Sequence, residues 1–430
     1  MQQHVRYNQS SAFAFRSVAA VINKKLNAVT AIFSIGMFLC LERLFRNLFI
    51  WNCGYRMQTM NTILSITATL IIYIVFMYYI ARDGSSFPLG VIIPFSIIYA
   101  FYFLSSFINP VSGVLSRCAD SFIFALGPLL MLSLAAANEN NRNRFIHLIS
   151  WVYIVVAALN IAFIIWPDLY YVISEWRQLY FMGYRSVLCF PLTFGVLFSL
   201  LDSHYNGNRI TLLIYLILFF VNSALVKAAG GLIGAFIVFL YLIPPVRKLF
   251  EKTDLAVFVG IIIAVFIALM WFAEPVLNLP PIKHFVQDVL HRDLTLTGRL
   301  IIWPGVMEFV ADKPLLGYGI SENGNIFYDT VYNTGWTGLD GVWLHAHNEF
   351  LQTLYEGGII TLLAALYMLF FTANKIRSCE DKRLSGIFKM IIFSLLLMLQ
   401  DDQFVYYPWY VAAFVCHMAV LCCAENRLSE

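Results

Sequence analysis

The sequence predicts an all-α, polytopic integral membrane protein of about twelve transmembrane helices, with a long outward-facing loop that contains short helices. Of its 430 residues, 60% are hydrophobic and only 12% are charged, whereas soluble domains carry about 25% charged residues. Long apolar runs recur, and a spanning helix needs about 20 such residues. Alternation over about ten residues, typical of an outer-membrane barrel, does not recur.

The apolar runs divide the chain into a membrane domain at 1–273, an outward-facing catalytic loop at 274–356 and a second membrane segment with a cytoplasmic tail at 357–430. Residues 1–26 are polar and lack a cleavage site, so the first span is expected to direct membrane insertion. The predicted spans are 27–41, 60–81, 88–107, 119–137, 146–166, 186–201, 210–226, 228–243, 255–273, 357–373, 386–400 and 404–423.

Basic residues set the predicted orientation. One side of the spans collects sixteen Lys and Arg residues and the other eleven, which predicts a multi-pass protein with cytoplasmic termini and with the 274–356 loop facing outward. Eight of the eleven outer basic residues are Arg, whose planar fork suits phosphate. They either anchor the protein at the interface or form a site for an anionic lipid head group. The net charge of +3 is too small to imply nucleic-acid binding.

The polar stretch from Thr297 to Gly358 holds the densest group of Arg, Trp, Tyr, His and Asn. Its first helix is predicted to run to about Ala311, with an apolar stripe formed by Leu300, Trp303, Met307 and Val310. Arg299 lies at the helix N-terminus, where a guanidinium could bind phosphate. The alternative is a capping or salt-bridging arginine.

His345-Ala-His347-Asn348 opens the helix of the tenth span. His347 is a candidate general base, because an imidazole titrates near neutrality and can accept a proton from a sugar hydroxyl. His345, Asn348 and Trp303 are candidate supporting residues. No further His and no paired carboxylates accompany this pair, so neither a metal nor another cofactor is predicted. The alternative is a structural histidine.

Other outer segments hold further candidates. Arg185 stands at the mouth of the sixth span, after an aromatic loop that could stack on sugar rings or form an interfacial belt. Asp401 and Asp402, in a short outer turn, could orient His347 or bind acceptor hydroxyls, or could simply keep the turn polar. Cys53 and Cys118 fall in predicted outer loops, so a disulfide between them is possible.

Three motifs within 294–360 carry a resemblance: Thr-Gly-Arg-Leu-x-x-Trp, Pro-Leu-Leu-Gly-Tyr-Gly, and His-Ala-His-Asn-Glu-Phe-Leu-Gln-x-x-x-Glu-Gly-Gly. They resemble the shared C-terminal motif of the O-antigen ligase and Wzy-type polysaccharide polymerase family. The resemblance implies that His347 is the essential histidine and that Arg299 and Arg185 bind the diphosphate. Many members have an arginine where this chain has Lys227-Ala-Ala-Gly-Gly, so a role for Lys227 is open.

The resemblance also implies an inverting, metal-independent glycosyltransferase at the outer face of the bacterial inner membrane. Its donor would be a glycan on undecaprenyl diphosphate and its acceptor a glycan or glycolipid, with chain-length regulators and flippases as expected partners. The loop 321–344 contains acidic residues but no Lys or Arg, which favours a polymerase of O-antigen or exopolysaccharide units. The alternatives are an O-antigen ligase that acts on lipid A core and a lipid-linked glycan transporter.

Overall fold

The computed structural model describes residues 63, 66–78, 89–109, 114–136, 139–166, 179–184, 188–226, 228–284, 287–288, 294, 299–320, 346–400 and 408–424. Nearly all of these residues are helical, so the all-α class is confirmed. A short antiparallel hairpin pairs β1 (Leu179–Tyr180) with β2 (Gly183–Tyr184). The helices are α1 (Ile66–Tyr78), α2 (Ile92–Ile108), α3 (Val114–Ala136), α4 (Glu139–Ile165), α5 (Cys189–Tyr205), α6 (Arg209–Val226), α7 (Ala229–Leu242), α8 (Pro244–Lys252), α9 (Leu255–Leu277), α10 (Pro280–His284), α11 (Arg299–Asp312), α12 (Glu349–Arg377), α13 (Lys382–Met398) and α14 (Tyr410–Ala424).

The helices agree in position with the predicted spans. In the described part of the chain, five helices are long and apolar enough to cross a membrane, namely α3, α4, α6, α9 and α12, and the bent pair α7–α8 would make a sixth. Shorter helices lie at five more of the predicted positions. The first predicted span lies outside the described residues, so the count of twelve stays a prediction.

The bend between α7 and α8 is 97°, and it follows from the local sequence. Ile243 adopts an extended conformation (ψ 119°) and Pro244 begins α8. A residue before proline is disfavoured in the helical region, whereas proline itself fits the first helical position. The nine residues of α8 carry basic side chains and a buried Phe250. Helix α8 therefore lies across the end of α7, as expected of a helix at a membrane surface.

The bundle has a closed interior and an apolar exterior. Every residue from Cys189 to Asp202 of α5 is buried, and α5 packs against α4, α6 and α13. Peripheral helices instead expose large apolar side chains, such as Ile210 and Leu213 of α6 and Trp271 of α9, which is 75% exposed. Water-facing surfaces rarely carry such continuous apolar patches. The chain is therefore a multi-pass membrane protein with a lipid-facing exterior.

His417 shows how polar groups are satisfied inside this bundle. It is fully buried on α14, and its Nδ1 accepts a hydrogen bond from the Val91 N–H (3.1 Å). Because the Leu129 carbonyl can only accept, Nε2 carries the proton and donates to it (2.9 Å), 2.8 Å from Ser133 Oγ. The neutral imidazole thus joins α14 to α3 and to the start of α2. This histidine is structural.

One loop prediction is wrong. Cys118 lies in the second turn of α3 and is fully buried, because α3 begins at Val114, five residues before the predicted span. Cys118 forms no disulfide, and neither do the five other described cysteines. Cys53 lies outside the described residues.

Candidate functional site

His347 lies at the turn that leads into α12. Its φ is 52°, in the left-handed region that few residues other than glycine adopt. The side chain is half-buried, whereas Ala346 and Asn348 on either side are 1% and 0% exposed. The histidine is thus a partly accessible residue held between two buried ones.

Asn348 holds the start of α12 in place. Its Oδ1 accepts hydrogen bonds from the N–H groups of Phe350 (3.0 Å) and Leu351 (3.1 Å), as an N-cap does. Its Nδ2 donates to the carbonyl of Gln400 (3.1 Å), just beyond the end of α13. The supporting role predicted for Asn348 therefore takes a structural form: it caps the helix and joins two elements next to His347.

The peptide groups of Ala346 are held on both sides. Trp303 Nε1 on α11 donates to the Ala346 carbonyl (3.1 Å), and the Ala346 N–H donates to Gln352 Oε1 on α12 (3.0 Å). Trp303 is 3% exposed and Gln352 8%. These two hydrogen bonds fix the residue that precedes His347. Trp303 was a candidate supporting residue from the sequence, whereas Gln352 was not.

Arg299 begins α11 and lies one turn before Trp303, so the two side chains share a face of the helix. The predicted apolar stripe on α11 is wrong in part, because Met307 is 38% exposed. The buried face is instead formed by Ile302, Trp303, Val306 and Val310. Packing of α11 against both α9 and α12 requires this broader face.

Helix α12 is broken at Gly358, whose φ is 67° and ψ −174°. The break leaves the Tyr355 and Glu356 carbonyls without their helical donors, and the N–H groups of Tyr318 (2.9 Å) and Gly319 (2.7 Å) bond to them instead. In the other direction, the Ile359 N–H donates to the Pro314 carbonyl (2.9 Å). Residues 314–319, hereafter the strap, therefore replace hydrogen bonds that the kink removes.

Two glycines allow this close approach. A Cβ on Gly317 would lie 2.4 Å from the Tyr355 carbonyl oxygen, and one on Gly358 would lie 2.2 Å from that of Leu315. Real side chains do not approach backbone so closely, so both positions require glycine. The Pro-Leu-Leu-Gly-Tyr-Gly and Glu-Gly-Gly motifs are thus the two halves of one backbone interlock.

The strap is also tied to α2 and α11. Asn109 Nδ2 donates to the Gly317 carbonyl (2.9 Å), and the Ile320 N–H donates to Ser106 Oγ (3.2 Å). Tyr318 donates a hydrogen bond to Asp312 (3.0 Å). Burial, followed by this bond and the charge of the carboxylate, raises the pKa of Tyr318 to about 12. The phenol therefore remains a donor at neutral pH.

A buried polar network lies behind the first turns of α12. Glu349 Oε1 accepts from the Trp409 N–H (2.8 Å), and Trp409 Nε1 donates to Thr353 Oγ1 (2.8 Å). Tyr102 of α2 also donates to Thr353 (3.3 Å). Gln352 Nε2 bonds to the buried Glu356 (2.8 Å). Sequence reasoning missed this network, whose only signal is polar residues at helical spacing in an apolar helix.

Five of the predicted site residues lie outside the described residues: Arg185, Lys227, His345, Asp401 and Asp402. Two of them, Arg185 and Lys227, are close in sequence to described residues that bond to other elements. The Met182 N–H, in the turn of the β1–β2 hairpin, donates to Asn160 Oδ1 (3.0 Å), and Asn160 Nδ2 donates to Asn222 Oδ1 (2.7 Å). The ends of α4 and α6 are thus joined next to the segments that contain Arg185 and Lys227.

Further contacts connect the starts of α5 and α7 to the end of α13. The Cβ position of Gly231 lies 3.9 Å from Cys189 Cβ, so the starts of α7 and α5 adjoin. Thr193 Oγ1 lies 4.0 Å from Met398 Sδ, two residues before the Gln400 that bonds to Asn348. The starts of α5, α7 and α12 therefore meet at the end of α13. Among the described residues, no group of three or more His, Cys, Asp or Glu could hold a metal ion.

Comparison with known proteins identifies the region that holds this site. Residues 210–366 match the O-antigen ligase family. A candidate polysaccharide ligase from Rickettsia conorii is 32% identical over 94 residues, 21% of this chain and 22% of that protein. The ComP-specific O-oligosaccharyltransferase of Acinetobacter baylyi is 27% identical over 129 residues, 29% of this chain and 22% of that protein. The chain thus spans less than a quarter of either relative. The resemblance expected from the motifs is confirmed over 210–366: this region, which contains Arg299, Trp303 and His347, matches the O-antigen ligase family.

Proposed function

We propose that this chain is a membrane glycosyltransferase. It moves a glycan from undecaprenyl diphosphate to a hydroxyl group of a sugar acceptor, by an inverting mechanism that needs no metal. The observation that supports it best is the position of His347: a half-buried imidazole between two buried residues, in a region that matches the O-antigen ligase family.

His347 acts as the general base in this proposal. The imidazole accepts the proton of the acceptor hydroxyl, whose oxygen attacks the anomeric carbon of the donor sugar. The bond between that carbon and the diphosphate oxygen breaks on the opposite face, and undecaprenyl diphosphate leaves. Fixing Ala346 through Trp303 and Gln352 would keep the imidazole in line with the attacking oxygen.

Arginines stabilise the leaving group in this proposal. Negative charge develops on the diphosphate as the bond breaks, and a guanidinium at the start of α11 can bind it with two parallel hydrogen bonds. Arg299 takes that role, and Arg185 is its proposed partner. The contacts around Cys189, Gly231 and Met398 support a position of the Arg185 segment near the start of α12.

The proposal has two forms, which differ in the acceptor of the glycan. The loop 321–344 has no Lys or Arg, and a phosphate-rich lipid A core would favour basic residues there. This composition supports polymerisation of O-antigen or exopolysaccharide units. Transfer to a different acceptor is the second candidate, because the two relatives described above are named a polysaccharide ligase and an oligosaccharyltransferase. A flippase and a chain-length regulator are proposed partners, and the bacterial inner membrane, with the site facing outward, is the proposed location.

The decisive experiment replaces His347. We expect His347→Ala, in purified protein with lipid-linked glycan, to reduce transfer by at least about a thousandfold, the range found for essential acid–base groups. His284→Ala is the matched control, because His284 is 74% exposed and bonds only to Asp288 one turn later in the described chain. EDTA should leave the transfer rates of the wild type and of His284→Ala unchanged.

Three results would contradict the proposal. Transfer at the wild-type rate by a folded His347→Ala protein would show that His347 is not the general base. Movement of lipid-linked glycan across liposomes without any transfer would favour the transporter instead. Loss of activity in EDTA would show that a metal takes part.

A further inference from the structure

A cavity of about 410 Å³ lies where four helices end. The C-termini of α8 and α12 meet the N-termini of α9 and α13 there. The unbroken helix α13 has 17 residues, so at about 1.5 Å per residue its start at the cavity lies about 25 Å from its end, where the Gln400 carbonyl bonds to Asn348 beside His347. The cavity is therefore separate from the glycosyl-transfer site and independent of the function proposed for it.

The charge of the cavity is positive. Four cations line it, against two carboxylates: Lys252, Arg377, Lys382 and Lys389 against Glu251 and Asp254. Both carboxylates already have partners, because Arg377 Nε bonds to Asp254 (2.5 Å) and Arg247 Nε lies 3.7 Å from Glu251. The lysines therefore leave a positive excess beside the starts of α9 and α13, whose N–H groups are already capped by Asp254 and Asp381.

Lys389 is the strongest indication of a ligand. It is 5% exposed, and in the described part of the chain its ammonium makes one hydrogen bond, to the Glu251 main-chain carbonyl (3.2 Å). No carboxylate of the described residues forms an ion pair with it. A buried ammonium with two spare donors is costly unless an anion compensates it. An anion in the cavity would supply that charge.

The surroundings favour a lipid as the source of this anion. Helix α8 turns 97° away from α7, as a helix at the membrane surface does. Leu249 on α8 and Val257 on α9 are 56% and 52% exposed next to the cavity residues. An apolar surface beside a basic cavity suits a ligand with acyl chains and a phosphate group.

We propose that this cavity binds the phosphate group of an anionic phospholipid at the membrane face opposite His347. Lys389 and Lys252 donate to the phosphate oxygens, with Lys382 at the N-terminus of α13 adding charge. The acyl chains lie along the exposed apolar side chains of α8 and α9.

The test compares lipids on purified, delipidated full-length protein. Phosphatidylglycerol is expected to raise the thermal unfolding midpoint and to stay bound in native mass spectrometry, whereas phosphatidylcholine does neither. Lys252→Gln should weaken phosphatidylglycerol binding about tenfold, the effect of one charge-assisted hydrogen bond. Lys389→Gln should do at least as much. Lys252 is exposed, so its variant keeps the test valid should the buried Lys389→Gln fail to fold.

Lys248→Gln is the matched control, because Lys248 is an exposed lysine one turn earlier on α8 that does not line the cavity. It should bind lipid as the wild type does. An equal loss in all three variants would mean general surface attraction and would overturn the site, as would unchanged binding in Lys252→Gln. Full stabilisation by inorganic phosphate alone, lost in Lys252→Gln, would overturn the lipid as its source.

Discussion

His347 owes its position to hydrogen bonds made by its neighbours. A left-handed backbone is unfavourable for a histidine by about 1 kcal/mol, so nearby contacts must hold it. Asn348 caps α12 and bonds to Gln400, while Trp303 and Gln352 hold Ala346. A residue held in an unusual conformation by buried groups is common where geometry matters for chemistry.

Trp303→Phe tests this arrangement by removing one hydrogen-bond donor. The substitution removes the indole N–H and leaves the buried Ala346 carbonyl without that donor, which destabilises the local structure by about 1–3 kcal/mol. We expect kcat for glycan transfer to fall about ten- to a hundredfold with little change in KM for the donor, because misplacement of a base slows the chemical step.

Trp271→Phe is the control for this prediction, since Trp271 is 75% exposed on α9. It should keep wild-type kinetics. A Trp303→Phe protein with unchanged kcat would mean that the bond to Ala346 does not position His347.

At the scale of elements, α12 and the strap depend on each other. The kink at Gly358 frees the Tyr355 and Glu356 carbonyls, and the strap satisfies both of them. Without the strap the Tyr355 carbonyl would lose this donor, and the Glu356 carbonyl would keep only Ser105 Oγ (2.7 Å). A buried carbonyl left unpaired costs about 1–3 kcal/mol. The interlock holds the chain that follows α11 against the helix that follows His347.

Gly358→Ala should therefore be strongly destabilising. The new Cβ would lie 2.2 Å from the Leu315 carbonyl oxygen, and φ is 67°. We expect a loss of more than about 3 kcal/mol in the free energy of unfolding, measured by denaturant titration in detergent. Both backbone strain and the collision contribute.

Substitutions at two other glycines distinguish backbone strain from steric collision. Gly207 has φ 68° and open space around its Cβ position, so Gly207→Ala should cost only about 1 kcal/mol of strain. Gly260 lies within α9 with neither a positive φ nor a neighbour within 4 Å, so alanine should stabilise by about 0.5–1 kcal/mol. Equal effects at Gly358 and Gly207 would contradict the interlock.

At the scale of the whole molecule, the bundle separates two ends. One end holds His347 with the starts of α5, α7 and α12, and the other holds the basic cavity. Apolar helices such as α6 and α9 surround a buried interior of α5, α13 and α14. In the two proposals above, one face would hold the lipid-linked donor and the other face would contact lipid head groups.

The products of a deletion strain distinguish the two acceptors. We expect that deleting the gene leaves single repeat units attached to their final carrier, because a polymerase only lengthens the glycan before transfer. Gel electrophoresis of surface glycan and mass spectrometry of lipid-linked glycan measure both pools. Long chains left on undecaprenyl diphosphate would identify a ligase, and a plasmid encoding the wild-type chain should restore the normal pattern.

Local sequence pattern was sufficient to predict the membrane class and the positions of most described helices, although α8 and α10 were not among the predicted spans. Hydropathy and proline or glycine placement act over a few residues, so α9 and α12 were predictable from local pattern. His347 and Arg299 stay predictions, which rest on three motifs in one polar stretch between apolar runs.

Tertiary structure alone decided which faces meet. The sequence indicated Met307 as buried and Cys118 as part of a loop, yet Met307 is 38% exposed and Cys118 is buried in α3. It gave no sign that Gln352 would bond to Ala346 or that Lys389 would be buried beside a cavity. These facts depend on contacts between residues far apart in the chain, and local periodicity carries no information about which distant helix lies opposite a given side chain.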